Sequence, residues 1–127
     1  MKKVVNTDKA PAAIGPYSQA CKANGLVFVS GQLPIDPATG EFAGSDIKSQ
    51  TEQSLKNVEA ILKEAGSSLD KVLKTTCLLT DISDFAPMNE VYSSFFSKDC
   101  PARAAFAVKD LPKGALVEIE VVAVCED

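Results

Sequence analysis

The chain has 127 residues, 46% of them apolar and 24% charged, with a formal net charge of −4 and no histidine. Its size and composition are those of one globular domain that builds a core without metal or disulfide. The acidic balance disfavours nucleic acid, which needs clustered Lys and Arg to neutralise phosphates, and the missing histidine excludes Ser-His and Cys-His nucleophile pairs.

No apolar run approaches the ~20 residues of a membrane span. Met1-Lys2-Lys3 resembles the start of a secretory signal, but Asn6 to Lys9 is polar and no apolar segment follows. The expectation is a cytoplasmic protein with no membrane partner, its single domain spanning residues 1–127. The four cysteines, Cys21, Cys77, Cys100 and Cys125, form no CxxC pair, and no histidine completes a zinc set. They read as reduced structural thiols, and no metal or cofactor site is expected.

Tyr17 to Lys22 and Leu26 to Ser30 flank Asn24-Gly25, a hairpin-turn dipeptide, so the first two strands are expected there. Gln32 to Gly40 is rich in proline and glycine and reads as a loop. Asp46 suits a helix N-cap. Ile47, Thr51, Leu55, Val58, Ile61, Leu62 and Ala65 then recur at helical spacing, and Gly66 ends the helix. Lys71 to Thr80 is β-branched and apolar, a strand. Asp84 is placed to cap a second helix with the stripe Phe85, Met88, Val91, Tyr92, Phe95 and Phe96, which reads as core packing. After Pro101, Arg103 to Val108 and Leu116 to Cys125 read as two last strands around a turn at Leu111-Pro112-Lys113-Gly114. The order β-β-α-β-α-β-β predicts an α+β fold, a mixed β-sheet with two helices packed on one face. The other sheet face must be covered, and self-association is the economical cover.

Three features carry possible chemistry. Arg103 is the only arginine, set before the small apolar stretch Ala104 to Ala107. A lone cation there is costly to bury unless paired. Its planar fork of donors suits a carboxylate ligand; a surface salt bridge is the plain alternative. In Leu116 to Val124, Val117, Ile119, Val121 and Ala123 share one face by the period of two, and Glu118 and Glu120 share the other with Val122 and Val124. That second face is either solvated and ion-paired, or it holds a carboxylate whose pKa is raised toward neutrality. Gly15-Pro16-Tyr17-Ser18 and Ser30-Gly31-Gln32 offer a hydroxyl and a backbone N–H for an anion, although turns use such residues widely. These residues alone define a possible carboxylate site with one candidate acid–base.

The motifs taken together are more specific. Ala12-Ala13-Ile14-Gly15-Pro16-Tyr17-Ser18-Gln19-Ala20, Val29-Ser30-Gly31-Gln32-Leu33-Pro34, Pro101-Ala102-Arg103, Leu111-Pro112-Lys113 and Val117-Glu118-Ile119-Glu120 stand in this order. With Lys74-Thr75-Thr76, Asn89, Tyr92 and Phe95-Phe96 they resemble the RidA/YjgF family of reactive-intermediate deaminases from about Thr7 to Val124. The resemblance implies a chorismate-mutase-like fold and a homotrimer with sites in the clefts between subunits. It implies hydrolysis of 2-aminoacrylate and related enamines, through their 2-imino acid tautomers, to a 2-keto acid and ammonia, without cofactor or metal.

By position, Arg103 matches the residue that clamps the substrate carboxylate and Glu118 the one that activates water. Gly31 contributes its backbone N–H, and Tyr17, Ser30 and Asn89 line or support the cleft. Glu120 is then a structural or rim residue, and Lys74 is not catalytic. Ala105 stands where many members have cysteine. A cysteine nucleophile is untenable at that position, while Ala105 can still contribute through its main chain. Two other readings remain: a non-catalytic binder or sensor of small 2-keto acids, and an endoribonuclease or translation inhibitor. The charge and the lack of an aromatic-basic platform weigh against the last.

Overall fold

The computed structural model describes residues 1–126. Its elements in chain order are β1 (Lys3–Val5), β2 (Ala20–Ala23), β3 (Leu26–Gln32), α1 (Ile47–Glu64), β4 (Val72–Leu79), α2 (Phe85–Phe95), β5 (Ala102–Ala107) and β6 (Val117–Val124). The strands form one sheet in the order β1-β2-β3-β6-β4-β5. All neighbours are antiparallel except β4 and β5, which are parallel. β3 and β4 both run antiparallel to β6 and so parallel to each other. Each helix is therefore a crossover between two parallel strands, the connection such strands require. This is the expected α+β fold, a mixed sheet with two helices on one face.

Local chemistry sets the element ends. Asn24 (φ 53°) and Gly25 (φ 77°) both take positive φ, which the two-residue turn between β2 and β3 demands. The Asp46 carboxylate accepts the Ser49 N–H at 3.1 Å and caps α1. Gly66 (φ 81°) ends the helix in the left-handed conformation, and the Ser67 N–H reaches the Leu62 carbonyl.

Leu55, Val58, Ile61 and Leu62 of α1 and Met88 of α2 are fully buried against Val27, Cys77, Val117, Ile119 and Ala123 of the sheet. The phase expected for β6 is the observed one. On the opposite face, cross-strand pairing lines up Val4, Cys21, Phe28 and Val122 in one row. Phe28 is 50% exposed there and Val4 61%.

Four expectations need correction. A short strand, β1, precedes the first one expected and pairs with β2. β2 starts at Ala20 rather than Tyr17, because Gly15 (φ 123°) and a Tyr17 N–H to Gly15 carbonyl bond turn the chain. β3 runs past the expected Ser30 to Gln32, so the loop begins at Leu33, where a bridge between Ile35 and Phe42 pins it. Asp84 makes no side-chain cap. Ile82–Asp84 is already a 3-10 turn leading into α2, and Asp81 caps it by accepting the Ser83 N–H at 2.9 Å. All four cysteines are free thiols: Cys77 and Cys125 are buried, Cys21 half-buried and Cys100 exposed. No helix among the described residues is long and apolar enough to cross a membrane.

Candidate active site

Glu118 lies on the sheet face turned away from the helices, opposite Leu78 of β4. On its other side the pairing of β3 with β6 shifts. Val29 faces Val121 and Gln32 faces Ile119, so Ser30 and Gly31 bulge where β6 supplies one residue. The bulge, together with the missing side chain at Gly31, makes room for the Glu118 carboxylate over the β3 backbone. A cavity of about 580 Å³ opens there, lined among others by Pro11, Tyr17, Ser30, Gly31, Lys113 and Glu118. Burial raises the Glu118 pKa above the usual carboxylate value, and the neighbouring Glu120 charge adds to the rise. Glu120 itself is exposed.

The hydroxyls around this cavity are partly committed. Ser30 Oγ donates to the Ser18 carbonyl at 2.6 Å, so its proton is engaged and the hydroxyl can meet a ligand only as an acceptor. Tyr17, 53% exposed, accepts the Ile14 N–H at 3.4 Å. Two buried amides that the sequence reading passed over hold the walls. Gln19 accepts the Thr7 N–H at 2.7 Å and donates to the Thr7 and Pro11 carbonyls at 3.0 and 2.8 Å. Asn57 of α1 donates to the carbonyls of Leu33 and Ile35 at 3.1 and 2.9 Å. Their signal was present: amides inside an otherwise apolar helical stripe and inside a motif must find partners if buried.

Arg103 sits elsewhere. It pairs with Thr75 across β4–β5 and so points to the helix side of the sheet, at its edge. It is exposed rather than buried. Arg103 Nη1 donates to Asn89 Oδ1 at 2.6 Å, and the guanidinium lies 4.7 Å from the Tyr92 ring centroid and 5.3 Å from that of Phe85. Tyr92 Oη is itself held at 2.8 Å from Thr75 Oγ1. Part of the aromatic stripe read as core thus also orients the arginine. No carboxylate pairs with Arg103 among the described residues, so its remaining donors stay open to an anion. Asn89, Tyr92, Phe96, Pro101 and Arg103 line a cavity of about 430 Å³. Ala105 lines neither of these two cavities. It faces Cys77 and packs against the core. Burial pushes the Cys77 thiol up to about 11, with the Arg103 charge pulling the other way.

The structure therefore joins Tyr17, Ser30, Gly31 and Glu118 in one cluster and Arg103 with Asn89 in another. Within the chain the two clusters lie on opposite faces of the sheet, with β4 between β6 and β5. Lys74 belongs to neither.

A family model described as Endoribonuclease L-PSP matches residues 7–125. The chain is 59% identical over 122 residues to a RutC family protein, y4sK, of Sinorhizobium fredii, covering 96% of this chain and 97% of that one. It is 47% identical over 124 residues to a 2-iminobutanoate/2-iminopropanoate deaminase of Mus musculus, covering 98% and 92%. Among solved structures it is similar to E. coli TdcF with bound serine, with a TM-score of 0.93 and 43% identity over 98% of this chain and 99% of that one. The chain belongs to the Endoribonuclease L-PSP family, which is the RidA/YjgF family its motifs resemble.

Proposed function

We propose that the protein hydrolyses 2-imino acids, and the enamines such as 2-aminoacrylate that tautomerise to them, to 2-keto acids and ammonia. Its site forms between subunits of a homotrimer, where the Arg103–Asn89 half of one chain meets the Tyr17–Ser30–Gly31–Glu118 half of the next. The carrying observation is the division of the site: a guanidinium-bearing half without a base and a base-bearing half without a guanidinium, on opposite faces of one chain. The apolar outer face around Phe28, Val4 and Val124 supports self-association. The deaminase name of the mouse relative and the serine bound to TdcF support an amino-acid-like carboxylate as ligand.

In this reading Arg103, oriented by Asn89 and backed by Tyr92, takes the substrate carboxylate in its fork. That fixes the C=N carbon against a water beside Glu118, so a bimolecular attack becomes a positioned one. Glu118 accepts a proton as the water oxygen bonds to the imine carbon, and a proton delivered to nitrogen gives the carbinolamine. Glu118 then takes the hydroxyl proton of the carbinolamine and returns a proton to nitrogen, so the C–N bond breaks, ammonia leaves and the keto group remains. Gly31 and Ser30 hold the floor of the cavity, Tyr17 its mouth, and Ala105, packed against the core, supplies no side-chain chemistry. The sequence of steps uses water, two shifts of a proton from oxygen to nitrogen through Glu118 and no cofactor, and the cytoplasm supplies the amino-acid-derived imines. Net charge −4 and the absence of histidine weigh against the nuclease named in the family's description.

The test generates the imino acid in situ with an amino-acid oxidase and traps it with semicarbazide. Wild type is expected to suppress trapping, and Arg103→Ala is expected not to. Saturable 2-ketobutyrate binding without any suppression would replace the enzyme by a sensor.

A further inference from the structure

Lys113 occupies a conformation that its turn does not need a lysine to adopt. It lies between Pro112 and Gly114 in the connection from β5 to β6, with φ 59° and ψ 19°. Gly114 follows with φ 72°. The turn is closed by backbone bonds alone, from the Gly114 N–H to the Leu111 carbonyl and from the Ala115 N–H to the Pro112 carbonyl. Glycine or asparagine tolerates the left-handed region better than lysine does. A long cationic side chain on this backbone is thus unexplained by local structure.

Its position is informative. Lys113 lines the cavity that holds Glu118 and also an adjoining cavity of about 430 Å³, which shares Pro11, Ala12, Ile14 and Ile35 with the first. Among the described residues it is the only cation lining either space. Its ammonium makes no hydrogen bond or ion pair with any described residue. Among the described residues the acids lining the two cavities are Glu118 and Asp8. An anion entering toward Glu118 meets a like charge, and only Lys113 opposes it from the same half-site.

We propose that Lys113 is a substrate-binding and steering residue that draws the carboxylate of an anionic 2-imino or 2-keto acid into the Glu118 cavity from the junction of the two spaces. The inference rests on the imine-hydrolase reading for its substrate class. Lys113 takes no part in proton transfer to or from the reacting atoms. Its removal acts on encounter and binding and leaves the chemical step alone.

Two variants and two readouts test it. Lys113→Asn removes the charge while suiting the left-handed backbone, and Lys113→Arg restores a cation. For imine hydrolysis by the Asn variant, KM is expected to rise about fivefold with kcat within about twofold. In wild type kcat/KM is expected to fall with added salt, and in the Asn variant that fall should flatten. The Arg variant should recover both, and the melting temperature of the Asn variant should equal or exceed that of wild type. In parallel, calorimetry reads the affinity for 2-ketobutyrate, which should weaken about fivefold in the Asn variant alone. Unchanged KM, salt dependence and 2-ketobutyrate affinity in Lys113→Asn overturn the proposal, as does a loss confined to kcat. If wild type turns over no imine yet binds 2-ketobutyrate more tightly than the Asn variant, the steering role stands and the hydrolase reading falls. If wild type neither turns over imine nor binds 2-ketobutyrate, both fall.

Discussion

The Glu118 carboxylate lies so close over Gly31 that a Cβ at position 31 would overlap its Oε2 and stand 2.8 Å from its Cδ. A side chain at position 31 would push the Glu118 carboxylate out of this place, while no backbone atom of β6 stands in its way. Gly31→Ala is expected to cost less than about 1 kcal/mol of stability, because the group it displaces is the end of a flexible side chain beside a cavity. Because the clash falls on the carboxylate, imine hydrolysis should drop at least tenfold even at temperatures where the variant is folded. Circular dichroism and the semicarbazide assay on one sample separate the two effects.

Glu118 also makes stability depend on pH in an unusual direction for an acid. Burial and Glu120 raise its folded-state pKa, so the native state holds the proton more tightly than the unfolded chain. Its contribution is full below the ordinary carboxylate pKa and is lost as pH rises through the raised value. Glu118→Gln should therefore melt higher than wild type at pH 7, and the gain should vanish below about pH 4. A variant that is less stable than wild type at pH 7 contradicts this.

Activity carries the same signature. A base must be deprotonated, so the acid limb of kcat/KM should lie above the ordinary carboxylate range. Glu120 contributes to the rise by its charge. Glu120→Gln should move that limb to lower pH without abolishing turnover.

Asn89 holds Arg103 through a single charge-assisted bond of 2.6 Å. Asn89→Ala leaves the guanidinium on the Tyr92 and Phe85 rings but frees its rotation. The expected result is a rise of about tenfold in KM for the imino acid, an amount that corresponds to about 1.4 kcal/mol, with the fold unchanged. Arg103→Ala should be far worse, about 100-fold or more in kcat/KM, since the clamp itself is gone.

Much of this was legible in the sequence where one residue type had one physical job. Alternation over Val117 to Ala123 placed Glu118 off the core, and Asp46 and Gly66 bounded α1 to within a residue. Arg103 was conspicuous as a lone guanidinium. The rest depended on tertiary context. β5 is an edge strand, and its short apolar residues suit either face, so nothing local told Arg103 to point toward α2 while Glu118 points away from it. The Ser30-Gly31 bulge shifts the register without leaving a pattern of its own. Asp81 and Asp84 are equally good caps on paper, and the 3-10 turn at Ile82–Asp84 decides between them. Tyr92 satisfies the helical stripe and the arginine together, so a reading by periodicity records only the first.

The central claim is that Arg103 and Glu118 act together only across two chains. Arg103→Ala and Glu118→Gln, each inactive alone, would be mixed, dissociated and reassembled. If each site takes its base from one subunit and its clamp from the next, random mixing in a trimer restores about a quarter of wild-type imine hydrolysis. If the mixture stays as inactive as its parts although mixed trimers have formed, the site does not span two chains and the account fails.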